Sequence, residues 1–127
     1  MNMNDMVIIS VDDHISEPPE MFDKHLSGDD LASAPKLRTN ADGTNYWEYQ
    51  GMIMPSVGLN AVVGRPLEEY GMEPSSFGQL RKGVYDVHAR IDDMNVNGIA
   101  ASLNFGTCVG FDGGRFHKAA DKARARI

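Results

Sequence analysis

The stretch Val11-Asp12-Asp13-His14-Ile15-Ser16-Glu17-Pro18-Pro19 stands directly behind the apolar run Val7-Ile8-Ile9. Residues 6 to 15 are largely β-branched or apolar and run into a proline-marked stop, the pattern of a buried β-strand. Pro18 and Pro19 cannot donate to a ladder and bias the residues before them towards extended backbone, so the strand is predicted to end near His14. Side chains alternate along a strand, which puts Asp12 and His14 on one side and Asp13 on the other. A carboxylate oxygen and an imidazole nitrogen so placed can converge on one cation such as Zn²⁺ or Mn²⁺. Spacing alone is a weak signal, because an Asp-x-His at a strand end also caps turns or bonds backbone amides.

Beyond the prolines, residues 20–26 are predicted to form a short helical turn with Met21, Phe22 and Leu26 inward, followed by the polar connection 27–35. Residues 36–54 read as a small antiparallel element: two short strands flank Ala41-Asp42-Gly43, and a third follows Gly51. The Gly- and Pro-rich segment 56–83 reads as a long irregular excursion. Residues 84–127 then read as helix, strand, helix. Val84, Val87, Ile91 and Met94 recur at helical spacing and Gly98 stands where a C-cap belongs. Residues 99–105 give a second buried strand, and Phe116, Ala120, Ala123 and Ile127 mark a final amphipathic helix from about 115.

Strand, helix, strand, helix is the rhythm of an α/β fold. Two parallel strands leave a sheet's edges and faces uncovered, and a closed (β/α)8 barrel takes about 250 residues. The 127 residues therefore read as the N-terminal piece of a longer protein with a β-hairpin insertion.

A net charge of −6 argues against a general nucleic-acid binder, and the basic residues of the tail, Lys118, Lys122, Arg124 and Arg126, read as a solvated helix face. The opening has no basic region ahead of its apolar run, and no stretch approaches the roughly 20 apolar residues that cross a bilayer. No membrane partner and a cytoplasmic location are expected. The single cysteine, Cys108, cannot form an internal disulfide and is read as a small buried residue. Glycines 106, 110, 113 and 114 do not spell a phosphate-cradling motif.

The phrases "VDDHISEPPEMF" (11–22) and "RIDDMNVNGIAASLNFGT" (90–107) resemble the amidohydrolase-related family, the metal-dependent (β/α)8 hydrolases and decarboxylases similar to aminocarboxymuconate semialdehyde decarboxylase. The first is similar to that family's D-x-H-x-x-E-P opening and the second to its R-x-x-D-M-x-x-x-G-I signature. The stretches "PSVGLNAVVGRP" (55–66) and "YGMEPSSFGQLRKGVYDVHAR" (70–90) are similar to the long insertion of one bacterial branch. The family resemblance of the phrases at 11–22 and 90–107 implies an incomplete TIM barrel for these 127 residues. The resemblance implies that Asp12 and His14 are the first two ligands of a divalent metal, zinc foremost with manganese or another ion as alternatives. Asp12 stands where many relatives have His or Glu. Glu17 becomes a pocket residue or one that orients His14, against the plainer reading of a solvated glutamate before a turn. Asn104 and Phe105, after the second strand, are candidates for contact with a small-molecule substrate.

In such an enzyme the cation lowers the pKa of bound water from 15.7 towards ~7 and polarises the scissile carbonyl. Two further histidines, an aspartate ligand and the base aspartate come from later strands, so this chain holds no catalytic base and is expected to be inactive alone. His25, His88 and His117 do not match those positions. The resemblance equally allows a decarboxylase, and it implies a homodimeric parent. A non-catalytic binding module, with 36–54 as its recognition surface, is the alternative of another class.

Overall fold

The computed structural model describes residues 2, 5–55, 57, 58, 61–70, 75–108 and 114–126. Two sheets divide them. Strands β1 (Ile8–Ile15) and β5 (Ile99–Gly106) form a parallel pair, and β2 (Lys36–Thr39), β3 (Asn45–Tyr49) and β4 (Met52–Met54) form an antiparallel sheet. The fold is thus mixed α/β, with no closed barrel among the described residues.

The antiparallel sheet follows from its turns. Asp42 closes the first by accepting the backbone N–H (3.0 Å) and hydroxyl (2.7 Å) of Thr44, while Gly43 takes a φ of +85°. The second is a two-residue turn in which Gln50 and Gly51 both have positive φ, the geometry whose twist matches the flanking strands. Register then sets Leu37 opposite Trp47 and Trp47 opposite Met54, so one face of the sheet is a continuous apolar row. On it sits the hydrophobic core: Trp47, Tyr49, Met54, Val57, Cys108 and Ala119, flanked by Phe22, Leu37, Phe77 and Phe116. Phe22 meets the edge of Trp47 at 5.5 Å, and Phe116 that of Tyr49 at 5.3 Å.

Helix α1 (Met21–His25) forms where a helical turn was predicted. The polar connection after it contains a second short helix, α2 (Gly28–Ser33), which the sequence reading missed. The described parts of the excursion 56–83 carry only short 3₁₀ turns, among them Leu67–Glu69 and Phe77–Gln79, and they are tied down. Val57 and Leu80 are buried, the Ser75 carbonyl accepts the Asn45 N–H (2.7 Å), and Asn45 Oδ1 accepts the Phe77 N–H (2.9 Å).

Helix α3 (Val87–Val96) starts at Asp86, whose carboxylate accepts the Ala89 N–H at 3.0 Å, and stops at Gly98 with φ +67°. Val84 lies before it, in the 3₁₀ turn Lys82–Val84. Two expectations about burial are overturned. The strands predicted to be buried are largely open: Ile9, Val11 and Leu103 are exposed, Val11 to 66%. On α3 the apolar residues Val87, Ile91 and Val96 are also exposed, whereas Arg90 and Asp93 are partly buried in ion pairs. Pattern predicts which residues seek cover; among the described residues nothing supplies it.

The final helix is also corrected. Only α4 (Gly114–His117) and a 3₁₀ turn (Arg124–Arg126) form, because Asp121 Oδ1 accepts the N–H groups of Ala123 and Arg124 (both 3.1 Å) and restarts the chain there. Ala119 is buried instead of Ala120 and Ala123, and Ile127 lies outside the described residues. No helix among the described residues is long and apolar enough to cross a membrane.

Candidate functional site

The C-terminal ends of β1 and β5 lie side by side, with Asp13 opposite Asn104, His14 opposite Phe105 and Ile15 opposite Gly106. In parallel α/β architectures this end of the strands is where ligands are held. Asp12 and His14 share a side: His14 Nε2 is 3.8 Å from Asp12 Oδ1, with side chains 54% and 78% exposed. The Phe105 ring stands next to His14, centroids 6.0 Å apart.

Asp13 points the other way, into a polar cluster. Its Oδ1 accepts the Ser10 hydroxyl at 2.8 Å, its Oδ2 accepts the Ser102 hydroxyl, and Arg90 Nη2 of α3 lies 3.3 Å from Oδ2. These hydrogen bonds, led by the one from Ser102, hold the Asp13 carboxyl below the usual carboxylate range in spite of its partial burial. Arg90 also reaches the Gly83 carbonyl (3.3 Å), while its buried Nε has no partner among the described atoms.

Glu17 is 7% exposed, which overturns the solvated reading. Nor does it bond His14: its Oε2 accepts the Thr107 hydroxyl (3.0 Å) and the Cys108 N–H (2.8 Å). Arg115 holds the same two residues by their carbonyls, at 3.1 and 3.0 Å. Glu17 therefore fastens the exit of β1 to the exit of β5. Burial, with help from the Glu17 charge, pushes the Cys108 thiol up to about 12, so it is no nucleophile.

Asn104 and Phe105 do not share a face, since consecutive strand residues point oppositely. Phe105 accompanies His14, whereas the Asn104 amide turns back to the Ser102 carbonyl (3.3 Å). Neither lines the nearby cavity of about 390 Å³, which is bounded by Asp13, His14, Ser16, Val62, Arg90 and Thr107 among others. Of the run 104–114, residues 109–113 lie outside the described ones. A second pocket of about 150 Å³, walled by Phe22, Leu26, Tyr49 and Phe116, shares no residue with the strand pair.

No protein-family model matches the chain, and no curated protein matches it either. Function therefore has to be argued from the site. Its donor set, one carboxylate and one imidazole on an open face, fits a divalent cation in kind but falls short in number. A catalytic zinc has three protein ligands, and among the described residues no group of three His, Cys, Asp or Glu side chains comes together. His25, His88 and His117 are exposed on α1, α3 and α4. The signal that sequence reading lacked was the chemistry of Asp13: two serines, one of them 89 residues away, and an arginine on a helix converge on it.

Proposed function

We propose that Asp12 and His14 are the first-strand ligands of a mononuclear divalent-metal site, and that the chain is the N-terminal part of an amidohydrolase-type hydrolase acting on a small molecule. The observation that carries this reading is the approach of Asp12 Oδ1 and His14 Nε2 to 3.8 Å on one side of a parallel strand, near its C-terminal end. A cation held there, zinc by the donor types, supplies Lewis acidity and lowers the pKa of bound water. Asp12 contributes charge and His14 a neutral nitrogen, while the Phe105 ring limits how far His14 can swing. Asp13, engaged by two hydroxyls and a guanidinium on the other side, is neither ligand nor base. The missing donors and the base would come from strands laid beside β1 and β5, whose apolar residues stand open to receive them. The resemblance of the 11–22 and 90–107 phrases supports metal-dependent chemistry of this kind, within which decarboxylation is the alternative to hydrolysis.

Zinc titration followed by NMR of the four histidine rings tests the ligand pair, with His25, His88 and His117 as internal references. His14 signals are expected to shift first, and Asp12→Ala to abolish the shift; equal shifts at all four rings, or none, overturn the assignment. The coding DNA downstream of codon 127 tests the hydrolase reading. An open frame supplying two further histidines and a late aspartate supports it, and an immediate stop overturns it.

A further inference from the structure

We propose that Asp13 is a positioning residue: its cluster with Ser10, Ser102 and Arg90 clamps a β-bulge that decides which side of the sheet Asp12 and His14 face. The proposal rests on the metal-site reading above. Pairing of β1 with β5 slips by one residue between Ile8 and Ile9 and slips back between Ser10 and Asp13. Across the second irregularity, three steps along β1 match two along β5, Ser10 pairing with Ser102 and Asp13 with Asn104. That extra residue is a bulge, a device that re-aims the side chains following it.

The side chains show its effect. In a regular strand residues 10 and 13 face opposite ways, yet here Ser10 Oγ donates to Asp13 Oδ1 at 2.8 Å. Ser10 and Asp13 both sit on the side from which Arg90 of α3 approaches. Without the bulge, alternation counted from Ser10 would carry Asp12 and His14 to that side, against the helix. With it they face away from α3, next to Phe105 and open to an incoming ligand. A one-residue slip exchanges the two faces of a strand, so something must hold the bulge. Asp13 is the only residue among the described ones that contacts the near side of the bulge (Ser10), the neighbouring strand (Ser102) and the helix layer (Arg90) at once. An acid in the middle of Asp-Asp-His thus has a task separate from its neighbours.

The test uses the full 127-residue chain. Zinc affinity is measured by competition with a chromophoric chelator for wild type, Asp13→Asn, Ser10→Ala and Trp47→Phe, with thermal midpoints alongside. Asp13→Asn is expected to weaken zinc binding at least tenfold, the scale found for groups that orient ligands. Ser10→Ala, which keeps the Arg90 contact, should weaken it less. Trp47→Phe destabilises the other sheet and should leave affinity unchanged, which separates positioning from general loss of stability. If wild type binds zinc and both Asp13→Asn and Ser10→Ala bind it equally well, the clamp is wrong and the metal reading stands. If wild type binds no zinc, the metal reading falls and NMR alone judges the clamp. Loss of the His14–Phe105 ring contact in Asp13→Asn or Ser10→Ala then supports it, and persistence of that contact in both overturns it.

Discussion

In the antiparallel sheet, Trp47 and Tyr49 are 2% and 3% exposed, Trp47 between Leu37 and Met54 and Tyr49 opposite Met52; in the parallel pair, Ile9 and Leu103 are 58% and 56% exposed. Both regions are built from apolar and aromatic residues in good strand patterns. They differ in where the covering layer comes from. The antiparallel sheet is covered by near neighbours in sequence, α1 at 21–25 and the start of the excursion at 57, together with 108 and 119. A parallel strand needs helices and strands that arrive after long crossovers. The chain's stability is therefore concentrated in the sheet without the candidate ligands, and the sheet that carries them is left largely exposed among the described residues.

The largest effect should come from breaking the covered region. Trp47→Ala removes the centre of the core and should cost about 3–5 kcal/mol, while Val11→Ala on the open strand should stay within about 0.5 kcal/mol. Urea unfolding of the two variants against wild type is the measurement. Equal losses would mean that the strand pair is as well covered as the antiparallel sheet, and the contrast would be lost. Next comes the fastening between the two strand exits. Glu17→Ala leaves the buried Cys108 N–H without its acceptor and should cost about 1–3 kcal/mol. A cost near zero would mean that water replaces the carboxylate and that the strand exits are not sealed.

Gly98→Ala should cost about 1 kcal/mol, because φ +67° is strained for any residue with a Cβ even though open space surrounds it. The same substitution at Gly78, which has no positive φ and stands in a 3₁₀ turn, serves as the control in thermal melts. A loss at Gly78 equal to that at Gly98 would remove the conformational argument.

Acid titration sharpens the contrast within β1. The Asp13 carboxyl is held below its usual value by Ser102, Ser10 and Arg90, so its contribution is present above the unfolded value near ~3.9 and fades as pH falls through the lower folded value. Wild type and Asp13→Asn should therefore differ in urea stability at neutral pH, and the difference should shrink below pH ~4. Asp42, Asp86 and Asp93 are also held low, so wild type keeps an acid limb in either case. A gap that does not change with pH would show that the Asp13 charge is not what holds the cluster.

Much of this was legible in the sequence. The opposition of Asp13 to Asp12 and His14, the turn chemistry at 42–43, the helix stop at Gly98 and the strand at 99–105 were all visible in patterns a few residues long, whereas the helix start was not, since Asp86 caps it and leaves Val84 outside. What could not be read depends on distant partners. The burial of Glu17 rests on Thr107 and Cys108, about 90 residues away, and the bulge rests on Ser102 and Arg90. The amphipathic stripe read from Phe116 to Ile127 failed for a local reason, since Asp121, in the middle of that span, acts as a cap.

The smallest expected effect bears most directly on the site. Asp12 and His14 lie on the open side of β1, more than half exposed, and a polar contact in that setting adds little to folding. Asp12→Ala and His14→Ala should therefore each change unfolding stability by no more than about 0.5 kcal/mol, the range of ordinary surface substitutions. Residues kept for folding give the opposite result, because their removal leaves a gap or an unpaired group. A thermal melt that stays put while the zinc-induced shift of the histidine NMR disappears would separate the pair from the rest of β1. Should either variant lose as much stability as Glu17→Ala, the pair belongs to the scaffold, and Asp12 and His14 cannot be argued as ligands from their exposure.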